Sequence, residues 1–339
     1  MSLVERELRE APDAVARQET ALAAPLEELT ARLARRPPTI VVTCARGSSA
    51  HAATFGKHLI ERHLGIAVAA AAPVVVTAYH RDLRLDGQLF LAISQSGRSD
   101  DLIETALSAK RAGALCAALV NDTESPLAAA CDIVLPVGAG PERAVAATKS
   151  FVATLSALLR LVARWTKDGA LDAALRRLPS RLDAAVRLDW GEAAASLAIA
   201  RSLVAIGRGP TLAVAREAAL KLKEVAHLHA EAFSGAEFLH GPVALVGADY
   251  PLLMFVAQDE TAPAMRRLAV ALRGKGAELF RADPCSEDVG NLPVLPPDHP
   301  DADALCLIQS FYAMAPRLAA ARGVDPDKPR HLQKVTRTR

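Results

Sequence analysis

The sequence predicts an α/β fold built twice over, each half a parallel sheet covered on both faces by helices. Three observations predict it. From Thr39 to Ala163 short apolar runs alternate with helical patterns, the signature of βαβ units. Beyond Pro179 the pattern restarts: Ser202–Gly209 mirrors Ile40–Gly47, and Phe255–Glu260 mirrors Ala92–Gly97. The spacing from Gln95 to the Gly113-Ala114 strand entry is also that from Gln258 to Gly276-Ala277. Finally, 51% of the 339 residues are hydrophobic and only 4% aromatic, a composition suited to close-packed helices on apolar strands.

The elements follow in order. Residues 1–36 read as two amphipathic helices around Pro25, stopped by Pro37-Pro38. Thr39–Cys44 reads as a strand, Ser49–His63 as a helix, and the β-branched run Val74–Ala78 and the apolar run Leu89–Ile93 as strands. A helix over Asp100–Ala112, a strand at Leu115–Val120, a short helix near Pro126 and a strand at Ile133–Val137 complete the first half. Thr148–Ala163 is a long apolar helix, and Lys167–Pro179 a linker-plus-helix boundary. The expected divisions are a helical arm 1–36, a first domain 37–166, a second domain 167–322 and a tail 323–339.

A net charge near +2 gives no electrostatic case for a nucleic-acid or membrane partner. No stretch has the about 18 unbroken apolar residues of a membrane span, and Met1–Arg9 is charged, without a signal-peptide core. The five cysteines (Cys44, Cys116, Cys131, Cys285, Cys306) form no C-x-x-C pair and read as buried thiols of a reducing cytoplasm.

Ser94-Gln95-Ser96-Gly97-Arg98-Ser99 joins an apolar strand to a helix. Open amides at a helix N-terminus favour an anion by about 0.3–1 kcal/mol, and each charge-assisted bond to a phosphate oxygen adds roughly 1.5–3 kcal/mol. No Walker lysine follows and Gly97 is the loop's only glycine, so neither nucleotide fingerprint fits; a small phosphorylated metabolite does. The plainer alternative is a turn that merely caps a helix. Arg46-Gly47-Ser48-Ser49 offers a second such turn, and both should leave the carboxyl ends of neighbouring strands. In the second copy Ser48 becomes Pro210, and Ser94, Ser96 and Gly97 become Ala257, Asp259 and Glu260. Carboxylates repel phosphate and proline lacks an amide donor, so one phosphate site per chain is expected, in the first half.

Glu217, Lys221 and Glu224 fall at i, i+4 and i+7 of a helix expected over Ala213–His229, hence on one face. Pointing outward they would be an ordinary ion-pair ladder. The surrounding Ala218, Ala219, Leu222, Val225 and Ala226 argue instead for burial, where a carboxylate can serve as a general base. His240, before the turn-forming Gly241-Pro242, sits where an imidazole can move protons near neutral pH, or is simply a loop histidine. His227-x-His229 lacks metal-site spacing, and no metal is expected.

Together, Ile93–Ser99, Val145-Ala146-Ala147-Thr148-Lys149, Glu217–Glu224 and Glu237-Phe238-Leu239-His240-Gly241-Pro242 resemble, in order, the motifs of the sugar isomerase (SIS) domain family, tandem phosphosugar-binding modules. The likeness is strongest to the isomerase half of glucosamine-6-phosphate synthase and to stand-alone glucosamine-6-phosphate deaminases. It implies two tandem domains, each a five-stranded parallel sheet in a flavodoxin-like three-layer sandwich. It implies that Ser94, Gln95, Ser96, Ser99 and Ser48 hold the sugar phosphate, that Gly47 and Ser49 shape their loop, and that Val145 and Ala147 line the sugar. Glu224 corresponds to the base between C1 and C2 and Lys221 to its assistant at the sugar oxygens. His240 corresponds to the ring-opening residue, lent to a partner subunit of a homodimer, and Lys334 to a tail lysine closing over the sugar.

Departures are Ser99 for a common threonine, Arg98 for glutamate, Leu239 for a basic residue, and a tail reading Lys334-Val335-Thr336 before a basic end. The synthases carry a glutaminase beginning with a nucleophilic cysteine; here the first cysteine is Cys44, inside the first module, so the resemblance points to release of ammonia. The expectation is a cytoplasmic, cofactor-free enzyme converting glucosamine 6-phosphate to fructose 6-phosphate and ammonia. Conversion of another amino- or keto-sugar phosphate, of galactosamine or fructosamine type, and a catalytically silent phosphosugar sensor are the alternatives.

Overall fold

The computed structural model describes residues 1–286 and 288–334; the expected tail motif beyond Lys334, Val335-Thr336 and its basic end, lies outside the described residues. Along the chain the elements are α1 (Leu3–Leu8), α2 (Ala11–Ala21), α3 (Ala23–Arg35), β1 (Ile40–Ala45), α4 (Gly47–Leu64), β2 (Ala67–Ala70), α5 (Pro73–Thr77), β3 (Leu89–Ser94), α6 (Asp100–Arg111), β4 (Leu115–Val120), α7 (Pro126–Ala130), β5 (Ile133–Pro136) and α8 (Lys149–Thr166). Then come α9 (Gly169–Ala185), α10 (Gly191–Leu197), β6 (Ser202–Gly207), α11 (Pro210–Ala226) and β7 (His229–Ser234). Two 3-10 turns (Glu237–His240, Pro242–Leu245), β8 (Pro251–Phe255), α12 (Ala262–Arg273), β9 (Glu278–Ala282) and α13 (Pro300–Ala321) follow.

The first sheet has the order β2-β1-β3-β4-β5, every pair parallel. β3 is buried along its whole length, as its uninterrupted apolar run requires of a central strand. Chain order reverses between β1 and β3, which pair through Ala45 and Ile93, so the loops after them open side by side at the switch point. Five strands are as expected, but the edge strand is not Val74–Ala78. Pro73 occupies the first turn of a helix there, and β2 instead starts two residues after Gly65, which ends α4 in the left-handed region (φ 68°).

The second sheet repeats the order as β7-β6-β8-β9, again parallel. It has four strands among the described residues, not the five expected. A single bridge, Arg281 to Asn291, stands where a fifth would begin, and Pro293, Pro296 and Pro297 then withhold the donors a ladder needs. The helix expected over Ala213–His229 spans Pro210–Ala226: His227 closes it in the left-handed region (φ 49°) and His229 already opens β7.

Residues 1–36 form three helical segments rather than two; the breaks fall at Arg9-Glu10 and Leu22, while Pro25 is accommodated in the first turn of α3. Lys167–Pro179 contains the division between the two units, at Arg176–Arg177, but it is helical and not a linker, since α9 runs through Pro179 to Ala185. By compactness the chain divides into two units. One holds the first sheet: Asp13–Glu142, Lys149–Arg176 and, of the tail, the described Gln333 and Lys334. The other holds the second sheet: Met1–Pro12, Arg143–Thr148 and Arg177–Leu332.

α13 is the core of the second unit, packed on α11, α10 and α1. Its Phe311 meets Phe255 edge-on at 6.3 Å, and each such buried ring or leucine contributes about 1.5–3 kcal/mol. Among the described residues it alone is long and apolar enough to cross a membrane (mean hydropathy 1.2), yet 78% of that stretch is buried inside the protein. Four of the five cysteines are buried as expected; Cys285 is exposed.

Candidate active site

In the first unit, the Ser94–Ser99 loop is shaped by its own hydroxyls. Ser94 Oγ accepts the Gly97 amide at 3.1 Å, and Ser96 Oγ accepts the Arg98 amide at 3.4 Å. Gly97 is required: its φ is +61°, and a Cβ there would lie 2.1 Å from Ser125 Oγ. Ser99 is the N-cap of α6 but makes no side-chain cap bond, so its hydroxyl is not spent on its own helix. Gln95, Ser96 and Ser99 are half-buried, while Ser94 is buried at the end of β3. The neighbouring loop enters α4 at Arg46 without a side-chain cap bond, with Gly47 exposed at φ +52° and Ser48 and Ser49 half-buried. The first turn of α4 thus has amides without intrahelical partners.

Two ion pairs frame these loops. Arg46 reaches Asp101 through Nη2 at 2.8 Å, and Arg98 reaches Asp122 at 2.8 Å. Neither was legible in the sequence, because each partner follows a different strand, Asp101 in the first turn of α6 and Asp122 in the loop after β4.

The second sheet's equivalent loops are occupied by their own residues. The Thr211 hydroxyl, in the place of Ser49, accepts the Arg208 amide at 2.9 Å and donates to the Phe255 carbonyl at 3.1 Å. Asp259, in the place of Ser96, takes the Thr261 amide at 2.8 Å and its hydroxyl at 2.6 Å on one oxygen. The substitutions read from sequence have a geometric counterpart here: the Arg208 amide and the Thr211 hydroxyl are already engaged, and a carboxylate fills the turn.

On α11 of the second unit, burial is graded along one face. Glu217 is fully buried and accepts the Tyr312 hydroxyl at 3.0 Å. Lys221, 1% exposed, lies 3.4 Å from Glu217 Oε1 and donates to Glu224 Oε2 in a very short bond. Glu224 alone of the three keeps contact with solvent, its side chain 19% exposed. Burial pulls the Lys221 ammonium down, but Glu217 and Glu224 outweigh it and hold the lysine above its ordinary value. Lys221 is therefore a fixed cation beside a half-open carboxylate. Tyr312 was not singled out from sequence; it comes from α13, far along the chain.

His240 ends a 3-10 turn and is exposed. With Arg208 and Arg267 it borders a cleft of about 420 Å³ whose walls include Leu239, Met265 and Leu268. Val145 and Ala147 are half-buried, whereas Ala144, Ala146 and Thr148 between and beside them are buried. Buried Glu7 positions this segment by accepting the Arg143 and Ala144 amides at 2.6 and 3.0 Å. These residues group with the second unit, although the sequence placed them in the first domain. Lys334 groups with the first unit, its Nζ 3.4 Å from Oε2 of the buried Glu142, which also accepts the Ser150 hydroxyl at 2.5 Å.

The structure thus brings Gly47, Ser48, Ser49, Ser94, Gln95, Ser96 and Ser99 to the carboxyl edge of the first sheet. It brings Lys221 and Glu224 together on α11.

The pattern of the SIS domain matches residues 36–164 and 196–280. A glutamine–fructose-6-phosphate aminotransferase [isomerizing] of Caulobacter vibrioides is 33% identical over 317 residues, covering 87% of this chain and 51% of the relative. That of Symbiobacterium thermophilum is 35% identical with the same coverage, so the chain spans about half the length of the curated relatives it matches. Among solved structures, one from Silicibacter pomeroyi DSS-3, named as a candidate phosphosugar isomerase, is 43% identical. It superposes with a TM-score of 0.92 over 96% of this chain and 100% of that one. The C-terminal domain of the Francisella tularensis glucosamine-fructose-6-phosphate aminotransferase gives a TM-score of 0.87 at 25% identity, covering 97% and 98%.

Proposed function

The chain belongs to the SIS domain family, and from that membership we propose that it is a phosphosugar-converting enzyme, a glucosamine-6-phosphate deaminase that yields fructose 6-phosphate and ammonia. The observation that carries this reading is the graded burial along α11, where a buried lysine is pinned between one sealed glutamate and one half-open glutamate. A surface ion-pair ladder has no reason to be buried, whereas a proton-transfer pair does.

In this reading the loop hydroxyls and amides of Ser48, Ser94, Gln95, Ser96 and Ser99 hold the phosphate, with Gly47 and Ser49 shaping the first loop. Val145 and Ala147 line the sugar. His240 opens the pyranose ring and, in a homodimer, serves the partner's substrate. The Glu224 carboxylate then takes the proton from C2, whose acidity comes from the C1 aldehyde; the C–H electron pair becomes the C1–C2 double bond of an enolamine while the C1–O π pair moves onto O1, which takes a proton from water. Return of the proton to C1 leaves an imine at C2. Water adds there, ammonia departs, and the ketose remains. Lys221 stabilises the negative charge that develops at the sugar oxygen. Lys334 covers the bound sugar. No step calls for a cofactor or metal.

The test is an ammonia-release assay on the purified protein with glucosamine 6-phosphate and its galacto epimer. Release from the gluco sugar is expected. Glu224→Gln should slow turnover by roughly 10²–10⁴-fold while fructose 6-phosphate still raises the melting temperature. Activity close to wild type in that variant removes Glu224 as the base. Aldose–ketose interconversion without ammonia would make the protein an isomerase of another sugar phosphate, and binding without turnover would make it a sensor.

A further inference from the structure

Arg46 and Asp101 have no part in that chemistry, yet they join the two loops assigned to the phosphate. Arg46 lies between β1 and α4 with extended backbone (φ −133°, ψ 158°) and a half-exposed side chain. Its Nε and Nη2 both donate to one oxygen, Asp101 Oδ2, at 3.1 and 2.8 Å. Asp101 belongs to the first turn of α6 and is 3% exposed, its other oxygen accepting the Leu102 amide at 2.9 Å. A buried carboxylate held by a guanidinium is costly to separate, since Asp101 would be left buried without a counter-charge while the half-exposed Arg46 could turn to water. The pair therefore clamps the first loop to the helix that begins where the second loop ends.

The duplication supplies an internal comparison. Arg208 occupies the place of Arg46 in the second copy, but Ala264 occupies that of Asp101. There the arginine borders the open cleft, with Ala264 in the cleft wall. The half whose loops carry the serine hydroxyls keeps the acidic partner. The half whose Thr211 and Asp259 are spent on local bonds has lost it.

We infer that Arg46 and Asp101 are a positioning pair that fixes the separation of the two phosphate loops, so that affinity for a phosphate monoester depends on the buried carboxylate of Asp101. This rests on the reading of those loops as the phosphate site, and it deepens that reading. The sign of the effect separates it from simple electrostatics. Neutralising a carboxylate near a dianion should tighten binding if only the field mattered; if the clamp matters, it should weaken binding.

Calorimetric titration with fructose 6-phosphate tests this on the full chain, comparing wild type with Arg46→Gln, Asp101→Asn and the double variant. Each single change should weaken binding roughly tenfold or more, and the double should be no worse than the weaker single, as expected of one shared interaction. In turnover, KM should rise while kcat stays within about twofold. Should Asp101→Asn fold poorly, Arg46→Lys replaces it; a single ammonium cannot reproduce two donors in a fixed fork, so intermediate loss is expected. Unchanged or tighter binding in a folded Asp101→Asn or Arg46→Lys protein overturns the clamp alone. A wild-type protein that fails to bind fructose 6-phosphate overturns the phosphate loops, and the clamp with them.

Discussion

Lys221 shows how far single residues could be read in advance. Its spacing from Glu217 and Glu224 put all three on one helix face, and the apolar neighbours implied burial; both are observed. What periodicity could not reveal was the partner from elsewhere, Tyr312 on Glu217, or Asp101 beneath Arg46, because such bonds join distant positions. Exposed Cys285 is a similar case: local sequence does not distinguish it from the four buried thiols. Lys221→Met should destabilise the protein by about 3–5 kcal/mol, because it strands a buried carboxylate; a urea midpoint equal to wild type would contradict this. The pH dependence has a definite sign. The folded-state value of Lys221 lies above its ordinary 10.5, so its stabilisation is complete below about 10.5 and is lost as pH rises through the raised value. Wild type should lose stability across that alkaline window more steeply than Lys221→Met, as measured by denaturation at several pH values.

Among elements, the central strands were the most legible, since buried parallel strands announce themselves as unbroken apolar runs; Leu115–Val120 was read to the residue. Edge elements were not. The Val74–Val76 run has strand propensity, yet Pro73 starts a helix there, while alanine-rich Ala67–Ala70, with little propensity of its own, pairs because β1 offers it a free edge. That the second sheet has four strands among the described residues follows from the prolines after Leu292. One junction is unforgiving: a Cβ on Gly207, where β6 turns into α11, would lie 2.1 Å from the Thr211 carbonyl oxygen. Backbone cannot step aside as a side chain does. Gly207→Ala should therefore cost at least about 1–3 kcal/mol and shift the helix that carries Lys221 and Glu224. An unchanged melting temperature with full activity would show that the junction relaxes.

For the whole molecule, the duplication was visible because repeated spacing survives when residues change, whereas the membership of two short segments in the second unit was not. Met1–Pro12 and Arg143–Thr148 are remote in sequence but belong to one unit through the grip of Glu7. If His240 serves a partner subunit, two inactive variants should complement each other. Mixing Glu224→Gln with His240→Ala after subunit exchange should restore about a quarter of wild-type turnover, since half the dimers are mixed and each holds one intact pair. No recovery in confirmed mixed dimers would place His240 and Glu224 on the same subunit's substrate. Thiol chemistry gives another global readout. Cys44, Cys116, Cys131 and Cys306 are buried, each thiol pushed up to about 12 mainly by burial, so native protein should expose one reactive thiol to an aromatic disulfide reagent and denatured protein five. The depth of α13 bears on biosynthesis as well. A ribosome delivers α11 long before α13, so the nascent polypeptide carries the Glu217–Lys221–Glu224 row without the helix that roofs it. Until that greasy segment emerges and docks, those charges remain hydrated; the proposed acid–base pair gains its enclosed setting only late in translation, together with the stretch most prone to aggregate if left undocked.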